Sequence, residues 1–358
     1  MTALDVQSYR RIEHRDHTAF LTTATVADAS CGLGSANVVL APRVVGVCRS
    51  DLREISGVRF GRRDFGHEIV GSVFDCSPAV ADLRGRTVVF DPHPTLAHRT
   101  SGFGELVELR GEPHQLRAAL VPVPDGLTDR VAVFAEPLAC AVHCATRMHT
   151  VTAELGLKPD TVVAVFGAGM AGILISAVLT ATGHRCVLLN PSDARIGFLR
   201  RRRALPSRVF DTHRHRPPFQ RIVVATAAAT PHVLATCVDM LAEDGLLLLF
   251  AGTQPGDRLD TVDIDYLRRT EATQSCGSRD RYHLAGTHGA GRADFHTALN
   301  LLQQAPEAGW SPWICVKRLT TQVLGLAAAP AYLTASATHG GIGKTIVQIR
   351  PPIPPEQR

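Results

Sequence analysis

Three residues far apart in the chain have the types that a catalytic metal requires: Cys48, His67 and Glu136. A catalytic zinc takes three protein ligands of mixed sulfur, nitrogen and oxygen type and keeps its fourth position open. A thiolate and a carboxylate would balance the ion's two positive charges, and a neutral imidazole would complete the set. Each residue alone has a plainer reading, because single cysteines and histidines are commonly core or surface residues. Their separation in sequence leaves convergence for the fold to decide. A second chemical signal is Gly167-Ala168-Gly169-Met170-Ala171-Gly172. In Gly-x-Gly-x-x-Gly the first glycine permits a tight turn, the second lets backbone approach a pyrophosphate, and the third lets a helix pack on its strand. Phosphates would sit on the helix N-terminus, where unpaired N–H groups favour negative charge.

Such a turn needs a strand before it and a helix after it. The β-branched run Val162–Phe166 and the apolar stretch Ile173–Leu179 supply both. From Thr161 to Gly183 no residue is charged, long enough to span a bilayer. Its four glycines and strand-like first half argue against a continuous membrane helix. Further apolar runs at Cys186–Asn190, Arg208–Asp211, Ile222–Ala225 and Gly245–Phe250 alternate with helical or turn material, the pattern of a parallel, doubly wound sheet. Earlier segments such as Ala19–Thr25, Asn37–Leu40, Thr87–Asp91 and Glu105–Leu109 read as short strands, and Ala135-Glu136-Pro137 opens a helix. Phe295, Leu299 and Leu302 share one helix face, and Thr345–Ile349 reads as the last strand. The expected class is α/β: a β-rich domain over 1–148, a nucleotide-binding domain over 149–278, and a return to the first over 279–358.

At 358 residues the chain can build two cores. With 45% hydrophobic and 20% charged residues, its composition is that of an ordinary globular protein. The first twenty residues contain no apolar signal core, and nine cysteines lie without paired spacing. Both features point to a reducing cytoplasm. The formal charge of +5 is modest, and its one basic run, Arg200–Arg203, reads as a solvated helix face, so neither nucleic acid nor membrane is an expected partner. Gly341-Ile342-Gly343-Lys344-Thr345 hints at a P-loop, but that motif needs glycine at Thr338. Asp211, His213 and His215 alternate like metal ligands within an Arg- and Pro-rich loop and read as surface residues.

Gly-Val-Cys-Arg-Ser-Asp at 46–51, Gly-His-Glu at 66–68, Glu-Pro-Leu-Ala at 136–139 and the glycine turn occur in this order. Together they resemble the zinc-dependent alcohol and polyol branch of the medium-chain dehydrogenase/reductase superfamily, over nearly the whole chain. The resemblance implies a GroES-like catalytic domain split around a Rossmann domain, one catalytic zinc per subunit, NAD(P), and a homodimer or homotetramer. It implies Cys48 and His67 as zinc ligands and Ser50 as the hydroxyl that takes the substrate's proton. Asp51 matches a carboxylate behind the ligands, and Glu68 matches either a similar carboxylate or an exchangeable ligand. Glu136 matches the position where alcohol dehydrogenases have a second cysteine and sorbitol-type enzymes have glutamate. Arg49 matches an arginine that contacts the cofactor pyrophosphate, and Arg279 one that reaches toward substrate. The implied reaction moves a hydride between NAD(P) and a secondary alcohol or ketone of a polyol, sugar or cyclitol. Zinc-free quinone or enoyl reduction and a catalytically silent dinucleotide- or nucleic-acid-binding role are the alternatives on the same scaffold.

Three departures stand out. The stretch 91–103 lacks the four cysteines that hold a structural zinc in many relatives, so a second metal is not expected. Arg53 stands where a complete proton relay has histidine. Asn190, 23 residues beyond Gly167, stands where NAD-selective relatives carry an acid that bonds the ribose. Asn190 can bond a ribose hydroxyl without repelling a 2′-phosphate, and Arg195 can supply positive charge, which leaves NAD and NADP both open. Asn190 can also be a simple turn residue. His143, on the helix that Glu136 opens, can face the site or serve the fold.

Overall fold

The first unit is built on one long strand, β1 (Ala36–Gly46), whose run of valines and small apolar residues is buried almost throughout. The structure is a computed structural model that describes residues 8–26, 35–58, 65–212, 216–277, 281–307, 309–338 and 341–350. After β1 the chain turns at Val47-Cys48 into a short helix, α1 (Arg49–Ile55). It returns as β2 (Glu68–Cys76), which pairs antiparallel with β1 and sets Gly46 opposite Glu68. Next to β2 lies β3 (Thr87–Phe90). On its other side β1 pairs with the strand Lys344–Gln348, so that Ile346 also faces Gly46. The end of β1 is therefore flanked by Glu68 on one neighbour and by the start of the last strand on the other. The core beneath contains Val45, Ile55, Ile69, Phe90 and Phe103.

A twenty-residue helix, α2 (Ala135–Glu154), carries the chain out of this unit. The second unit begins its sheet at β4 (Val163–Phe166), buried at every residue, as expected for a parallel strand covered on both faces. The glycine turn leads into α3 (Met170–Ala181), buried from Gly172 to Thr180. This explains the long uncharged stretch: it is a strand, a turn and a core helix. Ser176 and Thr180 donate their hydroxyls to backbone carbonyls one turn back, at 2.8 and 2.7 Å, which satisfies them inside the core. Among the described residues no helix is long and apolar enough to cross a membrane.

The sheet continues with β5 (Cys186–Leu189), followed by α4 (Asp193–Arg202), then β6 (Phe219–Val224), β7 (Leu241–Leu249), β8 (Thr273–Cys276) and β9 (Tyr282–Gly286). Its order is β5-β4-β6-β7-β9-β8. The first five strands in that order run parallel, whereas β8 pairs antiparallel with β9. The link between β8 and β9 is too short for a crossover, so a hairpin is the only connection available. Arg208–Asp211, expected as a strand, is instead a 3-10 turn over Ser207–Phe210 that buries Val209 and Phe210. Pro206 precedes it, and four residues make one turn more readily than a paired strand. Past residue 278, α5 (Arg292–Gln303) buries Phe295, Leu299 and Leu302, and the helix Pro312–Leu319 packs on both α5 and α3. The two compact units are Met1–Glu136 with Thr320–Arg358, and Pro137–Leu319.

Candidate functional site

In the first unit, Cys48, His67 and Glu68 each offer one donor atom, and these atoms lie within 4.8 Å of one another. Sequence separation hid this convergence; the pairing of β1 with β2 creates it. Cys48 caps α1, and His67 and Glu68 open β2. Asp51, 1% exposed, ties the group together. Its carboxylate accepts the Cys48 N–H at 2.8 Å and the Gly66 N–H at 2.9 Å, and one of its oxygens lies 3.5 Å from His67 Nδ1. Burial pushes the Asp51 pKa up, but His67 and the two backbone donors outweigh it and hold the group below its ordinary value. Burial likewise opposes charge on His67, yet Cys48 and Asp51 hold its pKa well above the ordinary histidine value. The field that retains a proton on this imidazole is one that attracts a cation.

Glu68 and Lys344 form a buried ion pair, 1% and 3% exposed, whose partners come from the strands on either side of β1. The Glu68 carboxylate lies over Gly46, where any side-chain carbon would stand 2.0 Å from its oxygen. Glycine at position 46 is thus a condition for this pair. Burial, with the Glu136 charge, raises the Glu68 pKa against the pull of Lys344. For Lys344, burial is overcome by Glu68, Cys48 and Glu136, and its pKa is raised. In the sequence Lys344 belongs only to the failed P-loop pattern. A lysine heading an apolar strand, which must find an acid if buried, is the signal that could have found it.

Glu136 lies in the first turn of α2, 8% exposed, outside the Cys48–His67–Glu68 group but within reach of its field. One of its carboxylate oxygens lies within 4.8 Å of a ring nitrogen of His93, which sequence reasoning did not single out. The Ser50 hydroxyl oxygen is buried and has no hydrogen-bond partner among the described residues. Arg49 is exposed at the start of α1. Arg279 and the loop histidines His213 and His215 lie outside the described residues.

The donor chemistry fits zinc. A thiol, an imidazole and a carboxylate converge, the imidazole is held by buried Asp51, and the acids Glu68 and Glu136 both act on one lysine, Lys344. A divalent ion would offset that negative excess.

In the second unit the three glycines differ as their proposed tasks differ. Gly167 has φ +121°, and a side-chain carbon there would meet the Ala225 carbonyl at 2.7 Å. A carbon on Gly172 would lie 1.8 Å from the Gly167 carbonyl oxygen, so helix and turn touch there. Gly169, the N-cap of α3, has no atom within 4 Å of that position, which leaves open space beside the N–H groups of Met170, Ala171 and Gly172. Asn190 is already engaged: its amide oxygen accepts the Ala168 N–H at 2.9 Å, and its amide nitrogen donates to the Ser192 carbonyl at 3.3 Å. It braces the glycine turn from the end of β5. Arg195 is half-buried in the first turn of α4. The basic run closes that helix: Arg200 donates to the Phe210 carbonyl, Arg202 lies over Phe198, and Arg203 takes a left-handed conformation at the C-cap. His143 is clamped between Glu271, at 2.7 Å from Nε2, and Asp294, at 3.0 Å from Nδ1. These two carboxylates raise its pKa to about 9.

No protein-family model matches the chain. Its sequence is 25% identical over 185 residues to L-threonine 3-dehydrogenase of Mesorhizobium japonicum, covering 44% of this chain and 50% of that protein. It is 28% identical over 170 residues to D-arabinitol dehydrogenase 1 of Uromyces fabae, covering 42% and 46%. The chain thus aligns with about half the length of the curated relatives it matches. The solved structure of 2R,3R-butanediol dehydrogenase from Bacillus subtilis superposes with a TM-score of 0.66 at 18% identity, over 96% of this chain and 100% of that one. The two share a fold, with a β-rich unit and a Rossmann-like parallel sheet.

Proposed function

We propose that this chain is a zinc-dependent oxidoreductase that transfers a hydride between NAD(P) and a secondary alcohol or ketone of a polyol, sugar or cyclitol. The observation that carries the reading is the convergence of Cys48, His67 and Glu68. One zinc per subunit is held by Cys48 and His67; the third ligand is Glu136 where Glu68 stays paired with Lys344, and otherwise Glu68, which converges with both. A zinc ion there supplies Lewis acidity, which eases loss of a proton from an alcohol. Asp51 fixes the His67 ring and the Cys48 backbone. The Ser50 hydroxyl, which has no hydrogen-bond partner among the described residues, takes the substrate's proton as it passes its own outward to solvent. Met170, Ala171 and Gly172 bind the cofactor pyrophosphate at the start of α3, assisted by Arg49, while Arg195 serves the ribose end and Asn190 holds the turn in place. Arg279 contacts substrate.

The names of the similar proteins join dehydrogenase activity to small hydroxylated molecules, which supports the substrate class. No disulfide joins the described cysteines, in keeping with the reducing cytoplasm we assign. The exposed edge strand β8 offers backbone groups for pairing between copies, in keeping with a homodimer or homotetramer. The test is a screen of polyols, sugars, cyclitols and simple alcohols with each cofactor, read at the reduced-nicotinamide absorbance. Turnover that chelation abolishes and zinc restores is the expected result; quinone or enoyl reduction that survives chelation would overturn the reading.

A further inference from the structure

Beside Glu136 stands an imidazole held as rigidly as His67. Asp91, 2% exposed, follows β3 directly, and its Oδ1 accepts both the backbone N–H of His93 at 2.9 Å and the ring Nδ1–H at 2.7 Å. The His93 side chain is 29% exposed, so a solute can reach it. The first unit therefore contains two imidazoles held by buried carboxylates, each beside a buried glutamate. His67 has Asp51 and Glu68; His93 has Asp91 and Glu136.

We infer that His93 is a substrate-binding residue that recognises a second hydroxyl, on the carbon next to the one oxidised, and so selects neutral vicinal diols. The inference rests on the function proposed above. With Nδ1–H donated to Asp91, the other ring nitrogen keeps its lone pair and accepts a hydrogen bond from a substrate O–H. Because Asp91 fixes the ring, little side-chain freedom is lost when that bond forms. One ring nitrogen of His93 lies within 4.8 Å of a Glu136 carboxylate oxygen, so the ring stands beside the proposed metal ligand. The carboxylates of Glu136 and Asp91, both close to the ring, repel an anionic group there. A neutral polyol, sugar or cyclitol meets both conditions, whereas a hydroxy acid with its carboxylate at this position does not.

The experiment compares 2,3-butanediol with 2-butanol as substrates of the zinc-loaded protein, in wild type, His93→Ala and His93→Gln. Loss of one well-placed hydrogen bond should cost the diol about 10-fold in kcat/KM relative to the mono-alcohol, most of it in KM. His93→Gln, whose amide oxygen reaches about as far as the distal ring nitrogen, should recover part of the loss. Zinc content should match wild type in both variants. An unchanged diol-to-alcohol ratio in His93→Ala overturns the inference, and so does a fall in zinc content, which would make His93 a metal ligand. If the wild type oxidises neither alcohol, the substrate screen above decides the proposed function, and calorimetric binding of the diol to the same proteins decides the inference. Binding that His93→Ala weakens supports it, and binding that is absent or indifferent to His93 overturns it.

Discussion

Asp51→Asn tests how the metal donors are organised with the smallest change in shape. The carboxylate has two backbone N–H donors, from Cys48 and Gly66, on different oxygens, and the His67 ring nearby. An asparagine keeps one acceptor oxygen and replaces the other with an NH2 group that must face one of those donors. At 1% exposure, water cannot take the lost acceptor's place. One unsatisfied buried N–H costs about 1–3 kcal/mol of stability. The imidazole also loses the carboxylate that orients it, a loss that in metal sites typically weakens binding by about 10–100-fold. Urea unfolding of metal-free protein measures the first effect, and competition with a calibrated zinc chelator measures the second. The pattern expected is a lower midpoint together with weaker zinc binding. Zinc affinity equal to wild type would refute the argument that Asp51 organises Cys48 and His67, even if stability fell.

Glu136→Ala should lower zinc affinity and turnover together, by about 10-fold or more, while Glu136→Cys retains the metal; full zinc occupancy with normal turnover in Glu136→Ala would make Glu68 the third ligand. Gly172→Ala should destabilise the fold by about 2–4 kcal/mol, because the new carbon would lie 1.8 Å from the Gly167 carbonyl oxygen. Gly169→Ala should leave the thermal midpoint nearly unchanged and weaken dinucleotide binding, read by titration of reduced-nicotinamide fluorescence; equal stability losses in the two variants would contradict the roles assigned to them. Asn190→Asp keeps an acceptor for the Ala168 N–H and adds a charge, so the kcat/KM ratio should move toward NAD, and an unmoved ratio would remove position 190 from cofactor choice. His143 has its folded pKa raised from 6.5 to about 9, so its clamp is fully stabilising below about pH 6.5 and is lost as pH rises through 9. The ceiling is about 3 kcal/mol, cut to about 1–2 kcal/mol by the side chain's partial exposure. Unfolding midpoints from pH 6 to 10 should therefore fall in wild type and stay flatter in His143→Gln.

What could be read in the sequence depended on how local the determinant was. The strand–turn–helix around Gly167 is contiguous, and its pattern of apolar residues and glycines marked each part. The pairing of Gly46 with Glu68 and of Lys344–Gln348 with β1 is not local. A lysine heading an apolar strand signals the need for an acid, but nothing along the chain announces that the acid is Glu68, 276 residues away. Asn190 follows its strand as the spacing implies, whereas the bond that its amide accepts from the Ala168 N–H depends on how the turn folds and has no sequence signature. The Asp91–His93 pair is local and could have been noticed from its spacing, since Asp at i and His at i+2 can close such a bond. The turn at Ser207–Phe210 misled because four apolar-flanked residues look alike as a strand and as a 3-10 turn, and only the neighbouring packing separates them.

The central claim is that Cys48 and His67 hold a zinc ion on which oxidation of a hydroxylated substrate depends. Its most direct test is metal content and NAD(P)-linked polyol oxidation measured on the same samples through a chelator titration, in wild type and in Cys48→Ser. The account predicts about one zinc per chain in wild type, activity that falls in proportion to zinc and returns when zinc is restored, and little zinc or activity in the variant. Full turnover in zinc-free protein, or wild-type zinc content in Cys48→Ser, would contradict it.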